Sequence, residues 1–155
     1  MPPARRRPRW NIGDLYAIHL TPRHDAICQL LELPYIAILD GVVPAGSPAP
    51  STDEILKGAL YRVLGASPNI LGESTRIGHL PFLVATVPPF FRRDIVAYGA
   101  PSQYSIKEDG IDRPATLDEC RGLEEMAIWN HDGLLERLRD QFLRGGYVPP
   151  EHDRP

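Results

Sequence analysis

The chain has 155 residues, 43% of them apolar and 24% charged, which is ordinary globular usage and excludes both wholesale disorder and two independent cores of typical size. Glycine (13) and proline (17) together supply about one residue in five, spaced so that they would interrupt any long helix, and short strands and loops are favoured over a helical bundle. The net charge is −3, yet Arg5, Arg6, Arg7 and Arg9 stand within the first nine residues, so the remainder carries 13 basic against 20 acidic side chains and forms an acidic body.

Residues 1–9 read as an Arg/Pro-rich disordered tail, residues 10–146 as one domain and residues 147–155 as a C-terminal tail. No stretch approaches the roughly 18 uncharged apolar residues of a membrane span. Asp14 and His19 break what would be the apolar region of a signal peptide, so the chain reads as cytoplasmic. The turn signal Asn11-Ile12-Gly13-Asp14 introduces a first strand, Leu15–Leu20, and Thr21–Asp25 supplies a hairpin turn. The apolar run Ala26–Leu33 and the β-branched run Tyr35–Leu39 complete a three-stranded meander. A Pro/Gly/Ser loop follows at 43–50, and Ser51-Thr52-Asp53-Glu54 has the hydroxyl side chains that start a short helical turn.

Further strands are expected at 58–64 and 82–87, the second ended by Pro88-Pro89, and at 95–98, with 67–75 loop-like between them. Phe90-Phe91 reads as core. Thr116-Leu117-Asp118-Glu119 fits a capping box; Gly122 shortens the helix it starts, leaving Leu123–Trp129 as a strand. Leu134, Leu135, Leu138 and Phe142 lie at the spacing of an apolar helix stripe, opposite Glu136, Arg137, Arg139, Asp140 and Arg144, and Gly145-Gly146 closes that helix. The fold class that follows is α+β: a single domain with a mostly antiparallel, strongly bent sheet from residues 12 to 98, and a C-terminal helix at about 132–144 packed on it.

Cys28 and Cys120 are too few and too far apart to staple the fold or to form a metal knuckle, and read as reduced, partly buried thiols. None of the five histidines has the spacing of a zinc-protease helix; His19 and His24, five apart across a turn, are conceivable joint ligands only. Neither a nucleophile elbow nor a phosphate loop is present, so no cofactor or metal is expected and catalysis has no positive argument. Glu108, Asp109, Asp112, Asp118, Glu119, Glu124 and Glu125 face only Arg113 and Arg121 between positions 108 and 125. Such a run, on a segment carrying Gly110 and Pro114 that reads as a loop, is either a solvated face or a surface that attracts a basic partner.

Three segments carry a family resemblance. Trp10–Leu20, with its Gly13-Asp14 pair leading into a strand, resembles the opening of the immunity protein 26 family. Arg76-Ile77-Gly78-His79-Leu80-Pro81-Phe82 is similar to that family's Ile-Gly-x-x-Pro segment, and Ala127-Ile128-Trp129-Asn130 with Leu134–Leu138 to its closing strand and helix. The resemblance implies a small cytoplasmic α+β protein, not an enzyme, encoded beside a polymorphic or contact-dependent toxin that it binds and neutralises. Joined to the acidic body, it makes Glu108, Asp109, Asp112, Asp118 and Glu119 the candidate toxin-binding residues, on a toxin with a basic site such as a nuclease's. The alternatives are a small hydrolase or nuclease-like enzyme and a nucleic-acid-binding module using the arginine tail; neither a membrane nor a nucleic acid is expected as partner.

Overall fold

The computed structural model describes residues 9–57, 60–81, 87–94 and 103–149. These fall into two compact units, the first built from the described residues up to 81 with Ile128–Tyr147, the second from those between 87 and 127 with Val148 and Pro149. The α+β class, the mainly antiparallel pairing and the C-terminal helix are those expected from the sequence. The strands, however, divide between two sheets where the pattern reads as one. Pro81, Pro88 and Pro89 separate the sheets along the chain, and none of these residues can donate a ladder hydrogen bond. The strands expected at 82–87 and 95–98 lie, but for Val87, outside the described residues, as do 1–8 of the N-terminal tail and 150–155 of the C-terminal tail.

The first unit holds a seven-stranded sheet. Strands β1 (Asp14–Thr21), β2 (His24–Leu30) and β3 (Tyr35–Leu39) form the expected meander. The proline-rich loop contributes β4 (Val43–Pro44), which pairs with β2. After α1 (Thr52–Lys57), where Ser51 and Glu54 exchange capping hydrogen bonds, β5 (Leu60–Ala66) pairs with β3. The stretch expected to be a loop contains the single turn α2 (Ile70–Glu73), whose Ile70 and Leu71 are buried. Strand β6 (Thr75–His79) follows and pairs with β1.

The second unit is a four-stranded sheet. Its strands are β7 (Phe90–Asp94), β8 (Gln103–Glu108), β9 (Ile111–Ala115) and β10 (Glu124–Glu125), in the order β10-β7-β8-β9. Phe90 and Phe91 are core residues, as expected, and Phe91 packs with Ile106 and Cys120. Thr116 caps α3 (Leu117–Cys120) in a reciprocal capping box with Glu119. The single strand expected at 123–129 is instead two pairs of residues, β10 in this sheet and β11 (Ile128–Trp129) beside β5 in the first.

Helix α4 (His131–Leu143) is capped by the Asn130 side chain, which accepts from the Gly133 N–H at 2.7 Å. It ends where Gly145 and Gly146 take positive φ angles and the Gly146 N–H returns to the Asp140 carbonyl. Leu134 and Leu138 are buried against side chains of β1, β2, β3 and β5, with Leu135 and Phe142 partly buried beside them. Arg137 departs from the helical pattern: it is buried, not solvent-facing. Its guanidinium lies 4.4 Å from the Tyr147 ring centroid, 5.1 Å from Trp129 and 5.6 Å from Tyr61. A delocalised, weakly hydrated cation tolerates burial when aromatic faces replace its water.

Leu134→Ala and Leu138→Ala should each lower the unfolding free energy by about 2–5 kcal/mol, because each empties a packed site. Glu136→Ala, on the exposed face, should change it by no more than about 0.5 kcal/mol. Urea denaturation of the three variants measures the contrast.

Candidate functional site

The acidic candidates lie in the second unit. What reads from sequence as a loop is a hairpin, in which Asp109 and Gly110 join β8 to β9 with φ angles of 52° and 77°. Two consecutive left-handed residues make the tight turn whose twist suits antiparallel strands, and Asp-Gly is a favoured pair for it. The signal was present in the sequence but needed Gln103–Glu108 to be read as a strand. Glu108, Asp109 and Asp112 are all exposed around the tip. Ile111, directly paired with Glu108, is 71% exposed.

Strand alternation places Glu108 and Ile111 on the face of buried Ile106, and Asp112 opposite Lys107 on the other. Asp118 and Glu119 belong to α3 instead. Glu119 is held by the Arg113 guanidinium at 2.6 Å, and Asp118 lies 3.3 Å from Arg121. The Arg113 contact and the Thr116 N–H hold the Glu119 carboxyl below its ordinary pKa. The structure thus brings Glu108, Asp109 and Asp112 to one hairpin tip, with Glu108 beside the apolar Ile111 and Asp112 on the opposite face, and commits Asp118 and Glu119 to local arginines. Strand β9 is an edge, and Pro114 within it lacks the N–H that an added strand would use.

The first unit contains two carboxylates whose burial the sequence pattern does not reveal, Asp14 and Asp25. Gly13 precedes Asp14 with a φ of 94°, and a Cβ there would stand 2.7 Å from the Leu80 carbonyl oxygen, so the turn into β1 requires glycine. Asp14 then points at β6. Its Oδ2 accepts from Arg76 Nε at 3.1 Å and its Oδ1 from Arg76 Nη2 at 3.3 Å, while His79 Nδ1 lies 2.9 Å from Oδ1. The Gln29 amide, also buried, donates to the Leu80 and Pro81 carbonyls just beyond β6. Asp25 is held by the Gly46 N–H at 3.2 Å and by His19 Nδ1 at 2.8 Å, and His19 Nε2 lies 2.8 Å from Thr75 Oγ1.

His19 and His24 do not converge; His24 Nδ1 contacts Thr21 Oγ1 at 3.0 Å. Among the described residues no group of three or more His, Cys, Asp or Glu side chains could hold a metal ion. Both cysteines are free and buried, and burial pushes the Cys28 thiol up to about 12. No helix among the described residues is long and apolar enough to cross a membrane. No family model, no curated protein and no solved structure matches the chain.

Burial alone would raise the Asp14 pKa, but the hydrogen bonds from Arg76 and His79 outweigh it, and the group sits below the ordinary carboxylate value. A carboxylate with a depressed folded-state pKa stabilises fully above its unfolded value, and the contribution is lost as pH falls through the folded value. The urea midpoint should therefore fall below about pH 4, the ordinary aspartate range. Asp14→Asn should start lower at pH 7 and fall less on acidification, as equilibrium denaturation at pH 7 and pH 3 would show.

Proposed function

We propose that this chain is a cytoplasmic immunity protein that neutralises a cognate bacterial toxin by stoichiometric binding, with no chemistry required for protection. The observation that carries the reading is the β8–β9 tip, where exposed Ile111 is paired with Glu108 beside the turn residue Asp109, and exposed Asp112 extends the acidic surface to the other face of the hairpin. An exposed apolar anchor with carboxylates beside it has the composition of an interface centre and its rim. The carboxylates suit a toxin with a basic groove, such as a nuclease's, because unlike charges steer encounter and set orientation. An interface of roughly 1,200–2,000 Å² in total, well packed, is enough for nanomolar affinity.

The resemblance of Trp10–Leu20, Arg76–Phe82, and Ala127–Asn130 with Leu134–Leu138, to the immunity protein 26 family supports the same reading. The turn at Gly13 and the pairing of Asp14 with Arg76 and His79 supply a physical reason for two of those segments to hold their residues. Pro114 on the edge strand favours recognition through side chains over strand addition.

Co-expression with the product of the neighbouring gene tests the function. Protection is expected, and a neighbour that is harmless alone, or that stays toxic beside this chain, would refute it. For the surface, the test variant combines Glu108→Lys and Asp112→Lys with Asp109→Asn, since asparagine keeps the left-handed turn that lysine would strain. Association at low salt should slow by roughly tenfold or more, with the difference shrinking above about 0.15 M salt. Ile111→Ala should instead speed dissociation. If the folded variants associate and protect as the parent chain does, the toxin contacts another face.

A further inference from the structure

We propose that Thr75, His19 and Asp25 form a nucleophile, base and orienting carboxylate that accept an acyl group from small activated esters. The proposal is independent of toxin binding. It rests on three adjacent strands of the first unit. His19 on β1 and Asp25 on β2 are directly paired across the hairpin, and Thr75 on β6 pairs with Ala17, two residues along β1 from His19. Such a diagonal neighbour is ordinarily about 7–8 Å away on the sheet surface, a gap that an imidazole ring can span. It does so here: Nδ1 is 2.8 Å from Asp25 Oδ1 and Nε2 is 2.8 Å from Thr75 Oγ1.

The surroundings assign the roles. The Asp25 side chain is 2% exposed, and its second oxygen is occupied by the Gly46 N–H. A carboxylate so held accepts the Nδ1 proton and fixes the neutral tautomer in which Nε2 carries a lone pair. Nε2 then faces the Thr75 hydroxyl, which must donate to it, and Thr75 is exposed where an acyl donor can reach. Nucleophile, base and orienter within hydrogen-bond reach are recognised by geometry and role, not by sequence order. Among the described residues the other histidine arrangements lack a part: His24 meets Thr21 through Nδ1 but has no carboxylate partner, while His79, paired to Asp14, and His131, 3.7 Å from Glu73, show no hydroxyl contact.

In the first half-reaction Thr75 Oγ attacks the ester carbonyl, and its proton passes to His19 Nε2. The carbon–oxygen bond to the leaving group breaks, and that group departs with the proton from Nε2, leaving an acyl ester on Thr75. In the second half-reaction a water attacks the acyl carbon and gives its proton to Nε2. The bond to Thr75 Oγ breaks, and the proton returns to Oγ. Asp25 touches neither substrate nor product; it is a positioning residue.

p-Nitrophenyl acetate is a suitable probe, because its good leaving group makes the rate report on the nucleophile. We expect burst release of p-nitrophenol and, in acid-quenched protein, one acetyl group mapped to Thr75 by peptide mass analysis. Thr75→Val, at a position exposed enough to leave the fold intact by circular dichroism, and His19→Asn, whose amide can still donate to buried Asp25, should each lower the rate by about 100-fold or more. Thr75→Ser should retain acetylation. The proposal is overturned if no burst occurs, if the acetyl group is found on Thr21, a lysine or a histidine instead of Thr75, or if folded Thr75→Val releases p-nitrophenol at the parent rate.

Discussion

Two buried carboxylates on the β1–β2 ribbon need partners, and satisfying them fixes where β6 lies. Asp14, at the start of β1, takes Arg76 and His79 from β6. Asp25, opposite the far part of β1, takes His19, which in turn reaches Thr75 at the beginning of the same strand. An edge strand whose residues are exposed or half-buried, bonded to one neighbour, would be weakly registered, and the Leu15/Tyr16 irregularity in its pairing makes slippage easier still. The carboxylates remove that freedom, because a buried carboxylate left without its hydrogen-bond partners is costly. The Gln29 amide extends the restraint past His79 to Leu80 and Pro81.

The second unit solves a different problem, that of presenting charge without losing order. Its hairpin is closed by a turn only two residues long, and Ile106 and Phe91 bury the base from which the tip projects. Arg113 and Arg121 neutralise the carboxylates of α3. The tip carboxylates are therefore held on a short, registered scaffold, which lowers the ordering cost of binding in comparison with a flexible acidic loop.

Much of the fold was legible because local chemistry and tertiary structure agree. Tyr35–Leu39 is a strand with those bounds since β-branched and aromatic residues fill it and Pro34 and Gly41 flank it. The Thr116 capping box and the stripe of Leu134, Leu138 and Phe142 likewise depend on neighbours within one or two turns. Where the pattern failed, the deciding partner was distant. Arg137 is polar by type but buried by rings from β5, β11 and the segment after α4. Asp14 lies 62 residues from Arg76, and His19 lies 56 from Thr75. The pairing of His19 with Asp25 could have been found from the hairpin register; the addition of Thr75 could not, because no local signal places β6 beside β1.

Native-state hydrogen exchange on Asp14→Asn tests most directly whether the buried carboxylate positions β6. The amides of Thr75–His79 that pair with β1 should exchange faster, while those linking β2, β3 and β5 keep their protection. Uniform loss across the sheet would mean that Asp14 supports the fold as a whole, and unchanged protection of β6 would mean that backbone pairing alone holds that strand in place.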